Sequence, residues 1–267
     1  MDIQKIILLY KQGWSLSALS RDYLLSTYKI RKILIENNVK IRSRVQQNFL
    51  SNQQRSYSVQ ENYFDDIDTQ TKSWILGFLM ADGSISKDRN KIKIALSTQD
   101  REILEKIRQE IKIERKILDT ETNRGFAISE LSWSNSHHKK QLIQYGIVPN
   151  KTYKQNHIPN ISTELYYGFV LGYYDGDGCF KNDGNTCRFE ICSYDPTILQ
   201  EIANFINNTY KVNKKVYKDK SRNNYYTITY STKIAIAFLE DAYSKCSFYL
   251  LRKYQKFLEW KNQNKRI

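Results

Sequence analysis

Trp74-Ile75-Leu76-Gly77-Phe78-Leu79-Met80-Ala81-Asp82-Gly83 returns in the second half of the chain as Phe169-Val170-Leu171-Gly172-Tyr173-Tyr174-Asp175-Gly176-Asp177-Gly178. Each run is apolar and ends at Asp-Gly. In each, small residues fall four apart, Gly77 with Ala81 and Gly172 with Gly176. Residues four apart share a helix face, so each run predicts a helix with one side stripped of side chains. Asp68 or Thr69 before the first run and Ser162 before the second stand where N-caps belong. Stripes of this kind let two backbones approach closely, for steric reasons. Packed stripe to stripe, the two helices bring Asp82 and Asp177 side by side at one end.

That juxtaposition is electrostatically costly, because like charges repel and each carboxylate sits at the negative end of a helix dipole. A purely structural design has no use for it, and a divalent cation relieves it. The donors on offer are the oxygens of Asp82 and Asp177 and the neighbouring backbone of Gly83 and Gly178, with few His or Cys nearby. Hard donors of this kind favour Mg²⁺, and Mn²⁺ or Ca²⁺ is expected to substitute in binding. Metal held between two carboxylates and a phosphodiester activates water and stabilises the leaving oxygen.

The segments after the two runs also match in outline: strand-like alternation, a polar helix (Asp100 to Glu110; Pro196 to Asn207), more strand and another helix. Repetition on this scale means two similar α+β subdomains. In Lys91-Ile92-Lys93-Ile94 the lysines share one face and the isoleucines the other. The isoleucines are expected to pack on the helices and Lys91 and Lys93 to meet nucleic acid. Arg188 and Glu190 take the matching part in the second half, with Lys214, Lys215, Tyr225, Thr227 and Thr229.

The 267 residues carry 42 Lys plus Arg against 28 Asp plus Glu, a formal net charge of +14 that points to a polyanionic partner. With 40% hydrophobic residues and only three Pro, the chain reads as globular rather than disordered. Cys179, Cys187, Cys192 and Cys246 form no C-x-x-C pair, so neither a zinc site nor a disulfide framework is expected. The N-terminus lacks a signal peptide's apolar core, and no stretch approaches the ~20 apolar residues of a membrane span. A reduced cytoplasmic protein, prokaryotic or from a phage-infected host, is the expectation, with an organellar origin as the alternative and no membrane partner.

Ahead of the repeat, apolar spacing and caps at Ser15 and Ser26 predict three short helices with Gly13 closing the first. Tyr10-Lys11-Gln12-Gly13-Trp14-Ser15 and Tyr28-Lys29-Ile30-Arg31-Lys32-Ile33-Leu34 resemble the recombinase-type helix-turn-helix family. The resemblance implies a third helix that enters the major groove with Thr27, Tyr28, Lys29, Arg31 and Lys32. Beyond it the composition turns to Gln, Asn, Ser and Arg, and Arg42, Arg44 and Arg55 are expected to follow a phosphate backbone. The organisation expected is a helix-turn-helix domain over 1–44, a linker over 45–64, and repeats over 65–160 and 161–267.

Both copies of the opening motif resemble the LAGLIDADG motif of homing endonucleases. The resemblance implies a monomeric pseudo-dimer of two αββαββα halves whose saddle-shaped sheets lie on double-stranded DNA. It implies that Asp82 and Asp177, at the eighth motif position, bind metal. The sixth position is Met80 in one copy and Asp175 in the other, and Gly176 replaces the usual alanine; Asp175 is expected to be a helix-surface or turn residue. The family also places a basic residue near the active site at the end of a half's last strand. Lys233, in Tyr230-Ser231-Thr232-Lys233, fits as a catalytic residue, with Ser136 and nearby Lys139 as its counterpart. The segment Gly146 to Thr152 resembles a recurrent family turn and makes Lys151 a phosphate contact. His137-His138 lacks the partners of an HNH nuclease and reads as polar surface. The implied activity is Mg²⁺-dependent hydrolysis of both DNA strands at a long asymmetric site, leaving 3′ overhangs, in the mobility of an intron or a mobile element. Two alternatives stand beside it: a non-cleaving DNA-binding regulator on the same fold, and a group I intron RNA maturase.

Overall fold

The computed structural model describes residues 2–47, 58–151 and 154–264. Positions 48–57 of the expected linker, Arg55 among them, and Thr152 of the expected turn, lie outside the described residues. The chain divides into two units, Met1–Ser56 and Tyr57–Ile267.

The first unit holds three helices, each opened by a side-chain cap. Asp2 accepts from the Lys5 amide ahead of α1 (Ile3–Lys11), Ser15 from the Ala18 amide ahead of α2 (Leu16–Asp22), and Ser26 from the Lys29 amide ahead of α3 (Thr27–Glu36). Capping by these residue types satisfies amides that the helix cannot. Gly13 turns the chain after α1 at φ 106°, a conformation open to glycine. Ile6, Leu19, Ile30 and Leu34 are fully buried between the helices, while Thr27, Tyr28, Lys29, Arg31 and Lys32 are exposed on α3. Arg42 does not stand free for phosphate as expected. Its guanidinium donates to the Trp14 carbonyl at 2.5 Å and lies 3.9 Å from the centre of the Tyr10 ring, and its amide donates to the Tyr10 hydroxyl. Arg42 closes this small core, whereas Arg44 is exposed.

The second unit is a duplicated α+β fold. Its first half runs α4 (Gln70–Asp82), β1 (Gly83–Ile85), β2 (Lys91–Ser97), α5 (Arg101–Glu110), β3 (Leu118–Glu121), β4 (Ala127–Ser134) and α6 (Ser136–Gln144). The second half repeats this order as α7 (Tyr166–Asp177), β5 (Gly178–Asp183), β6 (Thr186–Ser193), α8 (Pro196–Tyr210), β7 (Tyr217–Lys218), β8 (Tyr226–Ser231) and α9 (Thr232–Lys245), and adds α10 (Leu251–Gln263). Each half contributes one antiparallel sheet, ordered β1-β2-β4-β3 and β5-β6-β8-β7. Gly83 pairs with Ile94, and Gly178 with Ile191, so each motif helix feeds directly into the edge strand of its own sheet.

The helices α4 and α7 pack on each other along the small-residue stripes. A Cβ on Gly172 would stand 2.0 Å from the Trp74 carbonyl oxygen, and one on Gly176 would stand 2.3 Å from the Ala81 Cβ. Around this seam Trp74, Phe78, Phe169 and Tyr174 are fully buried and join both halves in one core. The helix openings are asymmetric. Thr69 caps α4 by accepting from the Lys72 amide, but a 3-10 turn at Thr163–Leu165 separates Ser162 from α7, and Ser162 makes no side-chain cap. Gln70 of the partner helix does that work: its Oε1 accepts from the Gly168 amide at 2.8 Å. The expected linker also ends too late, because Tyr63 and Phe64 are 2% and 0% exposed in the core. Two further expectations fail on burial. His138, expected on the surface, is fully buried, with its ring accepting from Trp133 Nε1 and bonded to the Gln60 carbonyl, while His137 pairs with Asp65. Asp175, expected on the helix surface or a turn, is also fully buried.

Candidate active site

Asp82 and Asp177 end α4 and α7 at the seam. The pairing of Ala81 with Gly176 fixes their approach: a Cβ on Gly176 would lie 3.2 Å from Asp82 Oδ2, so that carboxylate rests over the residue preceding Asp177. Both aspartates are exposed at the surface, and Asp177 lines a cavity beside the seam. Restricted access to bulk water raises both acids above the usual carboxylate range. For Asp177 the charge of Asp82 adds to this, and the acid is pushed up to about 6. Among the described residues neither carboxylate accepts a hydrogen bond or makes an ion pair, so no described donor competes with an incoming ligand.

Two lysines face this pair, one from each half. Lys151 Nζ donates to the Ala81 carbonyl at 2.7 Å, at the end of α4. It shares with Asp177 a cavity of about 280 Å³, lined also by Tyr173, Cys192, Arg222 and Tyr225. Lys253, in the first turn of α10, is 3% exposed and donates to the carbonyls of Tyr174, Asp175 and Gly178 at 2.6, 2.7 and 2.6 Å. Cations are favoured at a helix C-terminus, where carbonyls lack partners. Burial lowers both ammonium groups, Lys253 to about 8, and the positive charges of both oppose the upward push on Asp82 and Asp177.

The donor set fits a hard divalent cation. Two carboxylates without protein donors, close enough to repel, are what such an ion neutralises; no cluster of three His, Cys, Asp or Glu that would form a closed protein cage occurs among the described residues. An ion held by few protein ligands keeps water and accepts substrate oxygens, which is the habit of Mg²⁺. The expected ligand Gly178 is less available, since its carbonyl accepts from Lys253. Gly83 stands at the matching place in the first half.

The other expected residues divide by position. Lys233 is exposed and follows Ser231, which pairs with Arg188; Gly178 instead lies across from Ile191 and Ile228. The register thus sets Ser231, two residues before Lys233, about 10 Å along the sheet from the level of Gly178 at ~3.3 Å per residue, so Lys233 does not join the pair. Lys139 folds back onto the carbonyls of Lys87 and Arg89. On the first sheet Lys91 and Lys93 alternate with buried Ile92 and Ile94, and both bind Glu130 of β4, at 3.1 and 3.5 Å. On the second, Arg188 grips Asp183 at 2.7 and 3.1 Å, while Glu190 accepts from Lys181 and Thr229 at 2.7 and 3.2 Å. Thr227 lies on the same face beside Cys192. Lys214 and Lys215 are exposed ahead of β7. Each open sheet face therefore carries an acid among its lysines, Glu130 and Glu190, and only the second was legible from sequence.

A family model described as a LAGLIDADG-like domain matches residues 69–143 and again 164–242. No curated protein matches the chain. Among solved structures, full-length DUF199/WhiA from Thermatoga maritima is 17% identical over 78% of this chain, with a TM-score of 0.46, and the chain spans 66% of that protein's length. The meganuclease I-SmaMI, solved bound to uncleaveable DNA, is 12% identical, with coverage of 72% of this chain and 91% of that one and a TM-score of 0.48. The LAGLIDADG homing endonuclease I-LtrWI, solved bound to target DNA, is 12% identical over 77% of this chain and 92% of its own, with a TM-score of 0.45.

Proposed function

The chain belongs to the LAGLIDADG-like family, and from that premise we propose that it is a metal-dependent endonuclease acting on double-stranded DNA. One observation carries the reading: Asp82 and Asp177 end two helices packed against each other, with no donor to either carboxylate among the described residues. A structural role gives an acid a partner, whereas a cation site leaves its oxygens free. The cation proposed is Mg²⁺, with Mn²⁺ or Ca²⁺ as substitutes in binding; when bound it supplies Lewis acidity to the phosphate and the attacking water. Lys151 takes the catalytic role that its strand-end position suggested for Lys233. Its Nζ donates to the Ala81 carbonyl and its side chain lines the cavity that Asp177 also lines, where its charge would meet the charge that develops on a phosphate.

The substrate class follows from charge. A net +14 and two open sheet faces that bear Lys91, Lys93, Lys181 and Arg188 favour a long polyanion. The two faces carry different residues, so an asymmetric site is proposed, with cuts in both strands leaving 3′ overhangs and service to a mobile element. The α3 face of the first unit is proposed as an additional reader, with Arg31 and Lys32 near Thr27 and Tyr28.

The test is selection of the binding site from a randomised DNA library, followed by incubation of a plasmid carrying it with Mg²⁺ or with EDTA. Linearisation in Mg²⁺ alone, lost in Asp82→Asn and in Asp177→Asn while binding persists, is expected. Tight binding without cutting would instead establish a regulator, and cutting retained by both variants would remove the aspartates from the chemistry.

A further inference from the structure

Lys253 is the one lysine among the described residues that is buried in the core. It stands on the apolar stripe of α10 with Phe257 and Trp260, each at most 3% exposed. All three of its N–H donors are taken by carbonyls of one helix end, those of Tyr174, Asp175 and Gly178, and the ammonium also lies 4.7 Å from the centre of the Tyr174 ring. The carbonyls it gathers flank Asp177 on both sides in sequence. Its own helix is held in turn: Asp175 Oδ2 accepts from the Leu250 amide at 3.1 Å, where α10 begins, and from Trp74 Nε1 of α4 at 2.9 Å. Asp175, Lys253 and the end of α7 thus form one closed loop of bonds beside the active-site acid. Among the described residues the first half has no such loop; Met80 occupies the place of Asp175, and Lys151 holds a single carbonyl.

A saturated ammonium has no donor left for a phosphate, which separates Lys253 from Lys151. Its charge nonetheless bears on both carboxylates, whose neighbours in the chain it holds, and it repels a second cation there. We infer that Lys253 is a positioning residue for Asp177, fixing the end of α7 through three carbonyls while its charge holds down the cation affinity of the Asp82–Asp177 pair. The inference rests on the proposed metal site and assigns it an asymmetry: the end of α7 beside Asp177 is fixed by three carbonyl bonds, the end of α4 beside Asp82 by one.

The experiment measures Mn²⁺ binding to the full chain by electron paramagnetic resonance, without DNA, in wild type, Lys253→Met and Lys253→Gln, with circular dichroism to verify folding. Removal of one positive charge from the cleft is expected to tighten Mn²⁺ binding by about tenfold. Lys253→Gln can still donate to carbonyls, so it is expected to show the tighter binding with less loss of thermal stability than Lys253→Met. Single-turnover cleavage is expected to slow in both, since a loosened Asp177 grips metal in the wrong place. Mn²⁺ affinity unchanged or weaker in a folded variant overturns the inference alone, because the wild-type site would stand. Failure of both variants to fold leaves Lys253 a structural residue and overturns it too. No binding by the wild type overturns this inference together with the metal site beneath it.

Discussion

Gly77 meets the backbone of Phe169 so closely that a Cβ at position 77 would stand 2.0 Å from the Phe169 carbonyl oxygen. The mirror contact, Gly172 against the Trp74 carbonyl, has the same 2.0 Å spacing, so the seam is tight from both sides. This approach is what brings Asp82 to Asp177.

Gly77→Ala is therefore expected to destabilise the second unit even though alanine is the better helix former. The propensity gain is about 1 kcal/mol. Against it stands overpacking of ~1–3 kcal/mol in a well-packed core, more where the obstructing atom is backbone and cannot rotate away. A net loss of about 2 kcal/mol is expected in urea unfolding, with Gly172→Ala similar. Stability at or above wild type would mean that the helices slide apart freely.

The acids of the seam give an inverted pH dependence. Burial pushes Asp175 up to about 7 against the help of the Lys253 charge and the Trp74 bond, and raises Asp177 to about 6. Both values lie above an unfolded aspartate, so the folded state binds more protons through the window from about pH 4 to 7, and stability from these groups falls as pH rises. Asp175→Asn is expected to reduce that fall by a few kcal/mol, in the order set by about 1.36 kcal/mol per unit. Asp177→Asn is expected to reduce it by about 1 kcal/mol or less, because its accessible carboxylate is screened. Urea titrations without divalent cation at pH 5 and pH 8 measure the difference between variant and wild type. An identical pH slope in wild type and Asp175→Asn would mean that Asp175 ionises freely.

How much of this was readable from the chain depends on which force decides each residue. The helix pair, its stripes and the terminal acids were legible because steric periodicity survives in one dimension, as did the αββαββα order and the alternation at Lys91 to Ile94. Lys253 was not, since its partners are carbonyls from a helix more than seventy residues away, and nothing in its own neighbourhood names them. A hint was present: with Phe257 and Trp260 it falls on a single helical face, where a charged residue calls for a reason. Asp175 gave the opposite signal, an acid next to Asp-Gly that looked like a turn. Its burial depends on Trp74 and Leu250, which only the packed seam brings to it. Lys233 was misplaced because strand register, not distance along the chain, decides what reaches Asp177.

The lysines themselves offer a direct comparison. Lys151→Met is expected to slow single-turnover cleavage by about 10²-fold or more, the usual scale for losing a preorganised charge at a reacting oxygen, while DNA binding in Ca²⁺ changes little. Lys233→Met, exposed and beyond the register of the acids, is expected to stay within about threefold of wild type. The reverse ranking would return the catalytic role to Lys233.

Arg42 separates folding from recognition in the first unit. Its guanidinium is spent on the Trp14 carbonyl and the Tyr10 ring, so Arg42→Ala is expected to cost that unit about 1–3 kcal/mol through a lost charged hydrogen bond and a stacked cation. Arg31, exposed on α3 with no ion pair among the described residues, is expected to behave oppositely: Arg31→Ala leaves stability near wild type and weakens DNA binding. A lost phosphate contact also reduces the salt dependence of binding by roughly one unit of slope. Hydrogen exchange of the α1 to α3 amides in the full chain, beside binding titrations at two salt concentrations, distinguishes the two arginines. If Arg42→Ala instead keeps the fold intact and lowers the salt slope, the guanidinium leaves Tyr10 to meet phosphate, and the closed arrangement belongs to the DNA-free protein only.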